Sequence, residues 1–327
     1  MRRSLPYRRG GKVDPAVARV AAIDCGTNSI RLLIADLTPA GMREIVREME
    51  IVRLGEEVDA RKSFKPEAIE RTLSAVARYR DEMRRRGVER IRFCATSATR
   101  DASNRDLFID GVMELIGVKP EVIPGLEEAR LTFLGATAGL PAEDGPFLVV
   151  DIGGGSTEFV FGSAQVEHAA SVDIGCVRMH ERHLQGNPVE KDALRRAIED
   201  IDAAIVRAGA DVPIRDAKTL IAVAGTATTV AAASLGLSTY DRDAIHMARI
   251  PAAEVHRVAL MFQNSSRESI AALGYMHPGR VDVITAGSLV LSRVLLATSA
   301  DSFIASETDI LDGIALSLAD FDHGHQG

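Results

Sequence analysis

Apolar residues fill two short stretches, Val20-Ala21-Ala22-Ile23 and Phe147-Leu148-Val149-Val150, and each ends on an aspartate, Asp24 or Asp151, followed by a glycine-containing turn. A continuous apolar run of this length, bounded by turn residues, predicts a strand buried on both faces. Beyond each turn the pattern returns to strand-type residues, Ile30-Arg31-Leu32-Leu33-Ile34 and Glu158-Phe159-Val160-Phe161, so both turns are read as hairpin tips rather than helix entrances. A helical period follows Pro66 through Ile69, Leu73, Val76, Ala77 and Met83 and stops near Gly87. A strand over 91–95 leads into Thr96-Ser97-Ala98-Thr99-Arg100, a helix over 105–116, a strand over 121–123 and a helix from Leu126 to before Pro141. The second half repeats this order. After its hairpin come a strand around 169–174, a helix from Val189 to about Ala208, a strand over 219–223, a helical region over 251–296, and a last helix capped by Ser306-Glu307-Thr308-Asp309. Strand and helix alternate, which predicts an α/β fold made of two similar halves facing each other across a cleft.

The chemistry sits where the strands end. Each hairpin brings a carboxylate to a turn whose backbone amides can approach an anion, and the ligand this suits is a phosphate with its metal. The amides of Gly26, Thr27, Asn28 and Ser29 form one cradle, and those of Gly153, Gly154, Gly155, Ser156 and Thr157 the other. Gly225 and Thr226, at a strand tip entering a helix, suit a third phosphate contact. Two common nucleotide motifs are excluded: the third glycine position after Gly153-x-Gly155 holds Glu158 with no helix following, and no GxxxxGK[ST] string occurs. His180 and His183 stand at helical neighbour spacing without a third ligand nearby, as in a polar surface turn.

With 327 residues and 46% hydrophobic content the chain can bury two ordinary cores. Its net charge of -7 advertises no nucleic acid or other polyanion partner, so phosphate affinity must come from a local site. Cys25, Cys94 and Cys176 are widely spaced without CxxC, the usage of reduced thiols in a cytoplasmic protein. Cys25, inside a phosphate loop, reads as a small turn residue before it reads as an oxidation-sensitive one. Residues 1–12 carry Arg2, Arg3, Arg8, Arg9 and Lys12 and predict a flexible basic tail rather than a signal peptide. No apolar stretch reaches membrane-spanning length without charges, so no membrane partner is expected.

Taken together, Asp24-Cys25-Gly26-Thr27-Asn28-Ser29, the run from Ala95 to Asn104, Pro124-Gly125-Leu126-Glu127-Glu128-Ala129-Arg130-Leu131, the run from Asp151 to Glu158, and Gly279-Arg280-Val281-Asp282-Val283-Ile284 resemble the exopolyphosphatase and guanosine pentaphosphate phosphohydrolase family of the actin-like, ribonuclease-H-like ATPase superfamily. The chain is similar to the short members without added C-terminal helical domains, and departs from the commoner pattern at Cys25 and around Ala98. The resemblance implies two actin-like domains with mixed five-stranded sheets across a central cleft, one over 13–140 plus 304–322 and the other over 141–303. It implies hydrolysis of a phosphoanhydride, with Glu128 rather than Glu127 activating the attacking water, a choice spacing alone leaves open. Mg²⁺, or Mn²⁺, would be held by Asp151 and Glu158 with Asp24. Arg100 and Arg31 are candidates to hold phosphates, and Arg267 and Arg280 stay open. Inorganic polyphosphate is the expected substrate, with pppGpp the alternative and a homodimer implied by resemblance. A non-catalytic polyphosphate or alarmone sensor is a further reading, against which the retained Glu128 weighs. A phosphotransferase would need an adenine pocket, which the sequence does not identify.

Overall fold

The apolar run before Asp24 becomes the central strand of a five-stranded sheet. In the computed structural model residues 18–186, 189–298 and 300–320 are described; the predicted basic tail and the outermost residues of the predicted first domain lie outside them. The first sheet comprises β1 (Ala18–Cys25), β2 (Ser29–Thr38), β3 (Gly41–Ile51), β4 (Arg90–Ala95) and β5 (Glu121–Val122) in the order β3-β2-β1-β4-β5. β1 pairs antiparallel with β2 and parallel with β4, so both its edges are satisfied, and with helices on both faces of the sheet Val20 to Ile23 have no exposure. β3 escaped the apolar pattern because it is an edge strand studded with Arg43, Glu44, Arg47, Glu48 and Glu50, charges that guard an open edge.

The second sheet repeats this topology with β6 (Phe147–Ile152), β7 (Thr157–Gly162), β8 (Val166–Val172), β9 (Thr219–Val223), β10 (Arg249–Pro251) and β11 (Ser302–Ala305), in the order β10-β11-β9-β6-β7-β8. It has six strands, not the expected five. The extra one, β10, is Arg-Ile-Pro pairing antiparallel with β11 at the sheet edge, too short for any periodic signal and ending on a proline that an edge tolerates.

Before the second sheet the helices are α1 (Val58–Arg61), α2 (Pro66–Arg86), α3 (Ser97–Asp101), α4 (Arg105–Ile116) and α5 (Gly125–Thr137). After β8 come α6 (Cys176–His183), α7 (Lys191–Asp211), α8 (Ala224–Ser234), α9 (Arg242–Ile245), α10 (Ala252–Asn264), α11 (Arg267–Ala271), α12 (Ile284–Ala297) and α13 (Ile310–Asp320). α2 begins on Pro66 and stops at Gly87, whose φ of 68° is left-handed. The helical region predicted over 251–296 is three helices, and a turn of 3₁₀ helix before α12, Pro278–Arg280, carries Arg280. No described helix is long and apolar enough to cross a membrane.

α2 and α4 cover one face of the first sheet through Val76, Tyr79, Met83 and Phe108, while Leu311, Ile314 and Leu318 of α13 cover the other. Ala129, Phe133 and Ala136 of α5 pack on Phe147, Val149, Val160 and Ile221 of the second sheet. By packing, α5 therefore lies against the second sheet although it precedes the expected boundary at 140. α5 and α13 cross at backbone contact distance, where side chains at Gly135 and Gly313 would collide with the Asp309 and Leu131 carbonyls. Both helices start at the cleft. Their first turns bring Glu128 and the residues beside Asp309 to the ends of β1 and β6.

Candidate active site

The two hairpin tips are the same turn. The Gly26 N–H donates to the Ser29 carbonyl at 2.9 Å, and the Gly153 N–H donates to the Ser156 carbonyl at 3.0 Å. They pack directly on each other. A Cβ at Gly154 would come within 2.8 Å of Thr27 Cβ, and one at Gly155 within 2.7 Å of Ser97 Oγ, whereas one at Gly26 would meet nothing closer than 3.6 Å. Gly154 and Gly155 are thus required by contact between the loops, a different reason from the open approach to an anion anticipated from sequence. Behind the second loop, the amides of Cys176 and Val177, at the start of α6, donate to the Gly153 and Gly154 carbonyls, both at 2.9 Å.

Most of the predicted site residues line one small cavity of about 110 Å³: Asp24, Gly26, Thr27, Asn28, Ser29, Arg31, Glu128, Asp151, Gly153, Gly154, Ser156, Gly225 and Thr226. Gly155 sits behind it against Thr27 and Ser97. Thr157 is fully buried and its hydroxyl donates to the Ile174 carbonyl at 3.0 Å, so that side chain faces the lobe interior. Glu158 lies beside Asp151 on the neighbouring strand, and Arg100 lies behind Glu128.

The geometry separates the two adjacent glutamates independently of any resemblance. Glu128, in the first turn of α5, is buried and accepts a 2.7 Å hydrogen bond from Arg100 Nη1, which also donates to the Ile123 carbonyl at 2.9 Å. Glu127 instead accepts from Arg92 at 3.3 Å, away from the cavity. Burial raises the Glu128 carboxyl to about pH 7 against the pull of Arg100, with the Asp24 charge raising it further. Asp151 is pushed up to about 8, first by burial and then by Asp309, with smaller upward contributions from Glu128 and Asp24 and an opposing one from Arg31. Glu158 is likewise pushed well up by burial, then by Glu128 and Asp151. Thr132 Oγ1 bonds Asp151 at 3.2 Å, and Ser171 Oγ donates to Glu158 Oε1 at 2.7 Å.

Two buried oxygens here, Asp24 Oδ1 and Glu158 Oε2, have no hydrogen-bond partner among the described residues. Buried carboxylate oxygens left without a donor suit a cation or its water shell. Among the described residues no three His, Cys, Asp or Glu side chains gather closely enough to enclose a metal by themselves. The donor set therefore fits a hard divalent cation of the Mg²⁺ type, which takes one or two carboxylates and completes its shell with phosphate oxygens and water.

The arginines divide sharply. Arg31 donates to Asp24 Oδ2 through Nε at 2.9 Å and Nη2 at 2.6 Å, and through Nη1 to Asp309, so the guanidinium expected to hold phosphates is already held by two carboxylates. Arg267 pairs with Asp282 at 2.6 Å outside the cavity. Arg280 reaches the cavity wall by lying on Gly225, where a Cβ would come within 2.5 Å of Nε. Among the described residues its guanidinium makes one hydrogen bond, to Thr229 Oγ1 at 3.2 Å, and no carboxylate lies at ion-pair distance. Of the two described arginines that line this cavity, Arg31 and Arg280, the one left open by the sequence, Arg280, is the one without a carboxylate partner among the described residues. Ala224, beside it, adopts φ 64°, a left-handed conformation rare for alanine at the mouth of the third predicted phosphate contact.

As site residues, Thr132, Ser171 and Asp309, the last read from the sequence only as part of a helix cap, escaped sequence reasoning because each reaches the site only through tertiary packing. The Cys25 thiol is buried and raised well above its usual value by burial, which removes the oxidation-sensitive reading. His180 and His183 lie on α6, half-buried rather than in a surface turn, and His183 Nε2 bonds Asp200 at 3.1 Å. A second cavity of about 450 Å³ adjoins the first across Arg31, Met49, Gly225 and Arg280, and its far wall includes Tyr240, Tyr275, Met276 and Pro278. Nothing in the aromatic-poor composition had pointed to it.

Comparison with known proteins is consistent throughout. The chain is 45% identical over 317 residues to Exopolyphosphatase 2 of Mycobacterium tuberculosis, spanning 93% of this chain and 99% of that protein. A crystal structure of an exopolyphosphatase-like protein superposes with a TM-score of 0.90 at 42% identity, covering 92% of this chain and 97% of the other. The Aquifex aeolicus member of the Ppx/GppA protein family superposes with a TM-score of 0.80 at 27% identity over 95% of this chain and all of that one (100%). The two sheets share one strand order, the six-stranded one adding β10, in keeping with the paired mixed sheets that the sequence resemblance implied. Residues 33–321 match the profile of the Ppx/GppA phosphatase family, and the chain belongs to that family.

Proposed function

We propose that this chain is a Mg²⁺-dependent exopolyphosphatase that hydrolyses the terminal phosphoanhydride of inorganic polyphosphate and releases orthophosphate. The observation that carries the reading is Glu128: a buried carboxylate brought to about pH 7, oriented by Arg100, at a cavity walled by two glycine hairpins. A base at that pH can accept a proton from water and return it. Amides of Gly26 to Ser29 and of Gly153 to Ser156 cradle the terminal phosphoryl group, and Arg280 holds the phosphate next to it by bidentate donation. Glu128 takes the proton as the water oxygen bonds to phosphorus. The bridging P–O bond breaks, and the shortened chain leaves with the electron pair. Asp151 and Glu158, with the spare oxygen of Asp24, would hold Mg²⁺ or Mn²⁺ directly or through water. When bound, that ion neutralises charge on the phosphoryl oxygens. Arg31 acts through Asp24 and Asp309, fixing the first carboxylate. α5 serves as the connection between a first domain, 13–140 with 304–322, and a second, 141–303. The buried Cys25, Cys94 and Cys176 thiols suit a reducing cytoplasm.

A second reading, hydrolysis of the 5′-phosphate of pppGpp, is favoured by the larger cavity, whose Tyr240, Tyr275 and Met276 offer surfaces on which a base can stack. Orthophosphate release from long polyphosphate, short polyphosphate, pppGpp and ATP, measured side by side with Mg²⁺ and with chelator, tests both. Highest kcat/KM on polyphosphate is expected, with activity lost in chelator. A pppGpp preference of tenfold or more would transfer the assignment to the alarmone, and full activity in chelator would remove the metal.

A further inference from the structure

One helical face of α6 reaches the other lobe. Arg178, Glu181 and Arg182 stand at i, i+3 and i+4, the spacing that places side chains together on a helix surface. Glu181 accepts a 2.9 Å hydrogen bond from the Glu57 amide, and Arg182 bonds Asp59 at 2.6 and 3.2 Å. Arg178 is the centre of the set, only 6% exposed, with all three guanidinium nitrogens engaged. Its Nε donates to the Gly155 carbonyl at 2.6 Å, Nη1 to Asp59, and Nη2 to Asp101 at 2.6 Å. Gly155 belongs to the second glycine hairpin, whereas Asp59 and Asp101 lie on α1 and α3 of the first lobe. Asp101 directly follows Arg100, the residue that holds Glu128.

We propose that Arg178 is a positioning residue for the hydrolytic reaction: a buried clasp that fixes the second glycine hairpin against α3, and with it the placement of the phosphate cradle relative to Arg100 and Glu128. Stability alone does not account for such a group. The desolvation of a buried ion pair offsets most of its attraction, so what the arrangement supplies is a defined geometry between two bodies. The Arg182 hydrogen bonds, with both arginine charges, hold the Asp59 carboxyl at about 2, so the clasp stays charged at any working pH. Arginine is required because one planar fork must serve a carbonyl and two carboxylates at once, which a lysine ammonium cannot reproduce.

This inference rests on the phosphoanhydride hydrolase reading, and its test has a readout that does not. Spin labels on cysteines placed at Leu107 and Val206, exposed positions of α4 and α7 in opposite lobes, report the interlobe distance by pulsed electron resonance. Arg178→Gln is expected to give a longer and broader distance distribution than the unmutated clasp. In the unlabelled protein the same change is expected to lower kcat on long polyphosphate by about 10- to 100-fold with KM changed less than about threefold, as misplacement of reacting groups does. Asp101→Asn is expected to do the same more mildly, and the double variant to be no worse than Arg178→Gln alone, because both remove one contact. Arg178→Lys and Asp101→Asn carry the test if Arg178→Gln does not fold; lysine is expected not to rescue turnover. An unchanged distance distribution, additive losses, or a turnover loss that only follows the folded fraction would overturn the clasp. A wild-type protein inactive on polyphosphate would refute the substrate instead, leaving the distance result standing.

Discussion

The two hairpins share a backbone and differ in one cross-strand partner. Asp24 faces Arg31, whereas Asp151 faces Glu158. In the first hairpin the carboxylate is bonded by a guanidinium, which Asp309 also grips. In the second, two carboxylates lie side by side with no cation bonded to either, and burial drives both upward in pKa. Burial raises the Asp24 carboxyl as well, but there Arg31 opposes the rise, whereas in the second hairpin like charges lie directly opposite each other on the sheet, which is destabilising. A duplicated loop has become a scaffolded cradle on one side and, on our account, the cation-binding side on the other.

That difference is broken most forcefully by removing the two aspartates. Asp151→Asn is expected to lower turnover about 100-fold and to raise the Mg²⁺ needed for half-maximal activity about tenfold or more. Asp24→Asn, which weakens only the auxiliary contribution of Asp24 Oδ1 beside Asp151 and Glu158, should raise the Mg²⁺ requirement by a smaller factor, about threefold; Mg²⁺ titrations of orthophosphate release compare them, and equal shifts would erase the asymmetry. Stability should separate the hairpins with opposite sign. Asp24→Asn strips the buried Arg31 of a partner and should cost about 3 kcal/mol, whereas Glu158→Gln relieves repulsion and should stabilise the metal-free protein by about 1 kcal/mol. Urea midpoints in chelator measure both.

The pH dependence follows the same carboxylates. Folding raises Asp151 to about 8 and Glu128 to about 7, above their ordinary unfolded values near 4, so the folded state binds more protons across that interval. Stability in chelator should therefore fall as pH rises from about 4 to about 8. Added Mg²⁺ should restore it most at the upper end, where the carboxylates are charged. A flat urea midpoint across that range would contradict the assigned shifts. Smallest of all is the contrast between glycines. Gly155→Ala, colliding with Ser97 and Thr27, should cost about 1–3 kcal/mol, and Gly26→Ala less than about 1 kcal/mol. Thermal melts of the two variants sharpen the view that one loop glycine is needed for loop packing and the other is not.

The hairpins were legible because their signal is local: an apolar run, an aspartate and a glycine turn occupy neighbouring positions. The strand β10 was not, since three residues hold no period. Nor could spacing choose Glu128 over Glu127, because both stand in the first turn of α5; what separates them is that Arg100 and Arg92 approach from different sides, a fact of packing. Asp309 lies far along the chain from Arg31, so the pairing that occupies this arginine has no sequence trace. Arg280 was visible as a residue but not as a cation without a carboxylate. Arg178 was not singled out at all, since its three hydrogen-bond partners come from Gly155, Asp59 and Asp101.

The central claim is that Glu128 is the base of a phosphoanhydride hydrolase. Its most direct test is steady-state orthophosphate release from long polyphosphate by Glu128→Gln, with Glu127→Gln alongside. Glu128→Gln is expected to lose about two to four orders of magnitude in kcat with KM nearly unchanged, and Glu127→Gln to stay within about threefold of wild type. Turnover retained by Glu128→Gln, or equal losses in both variants, would contradict the account.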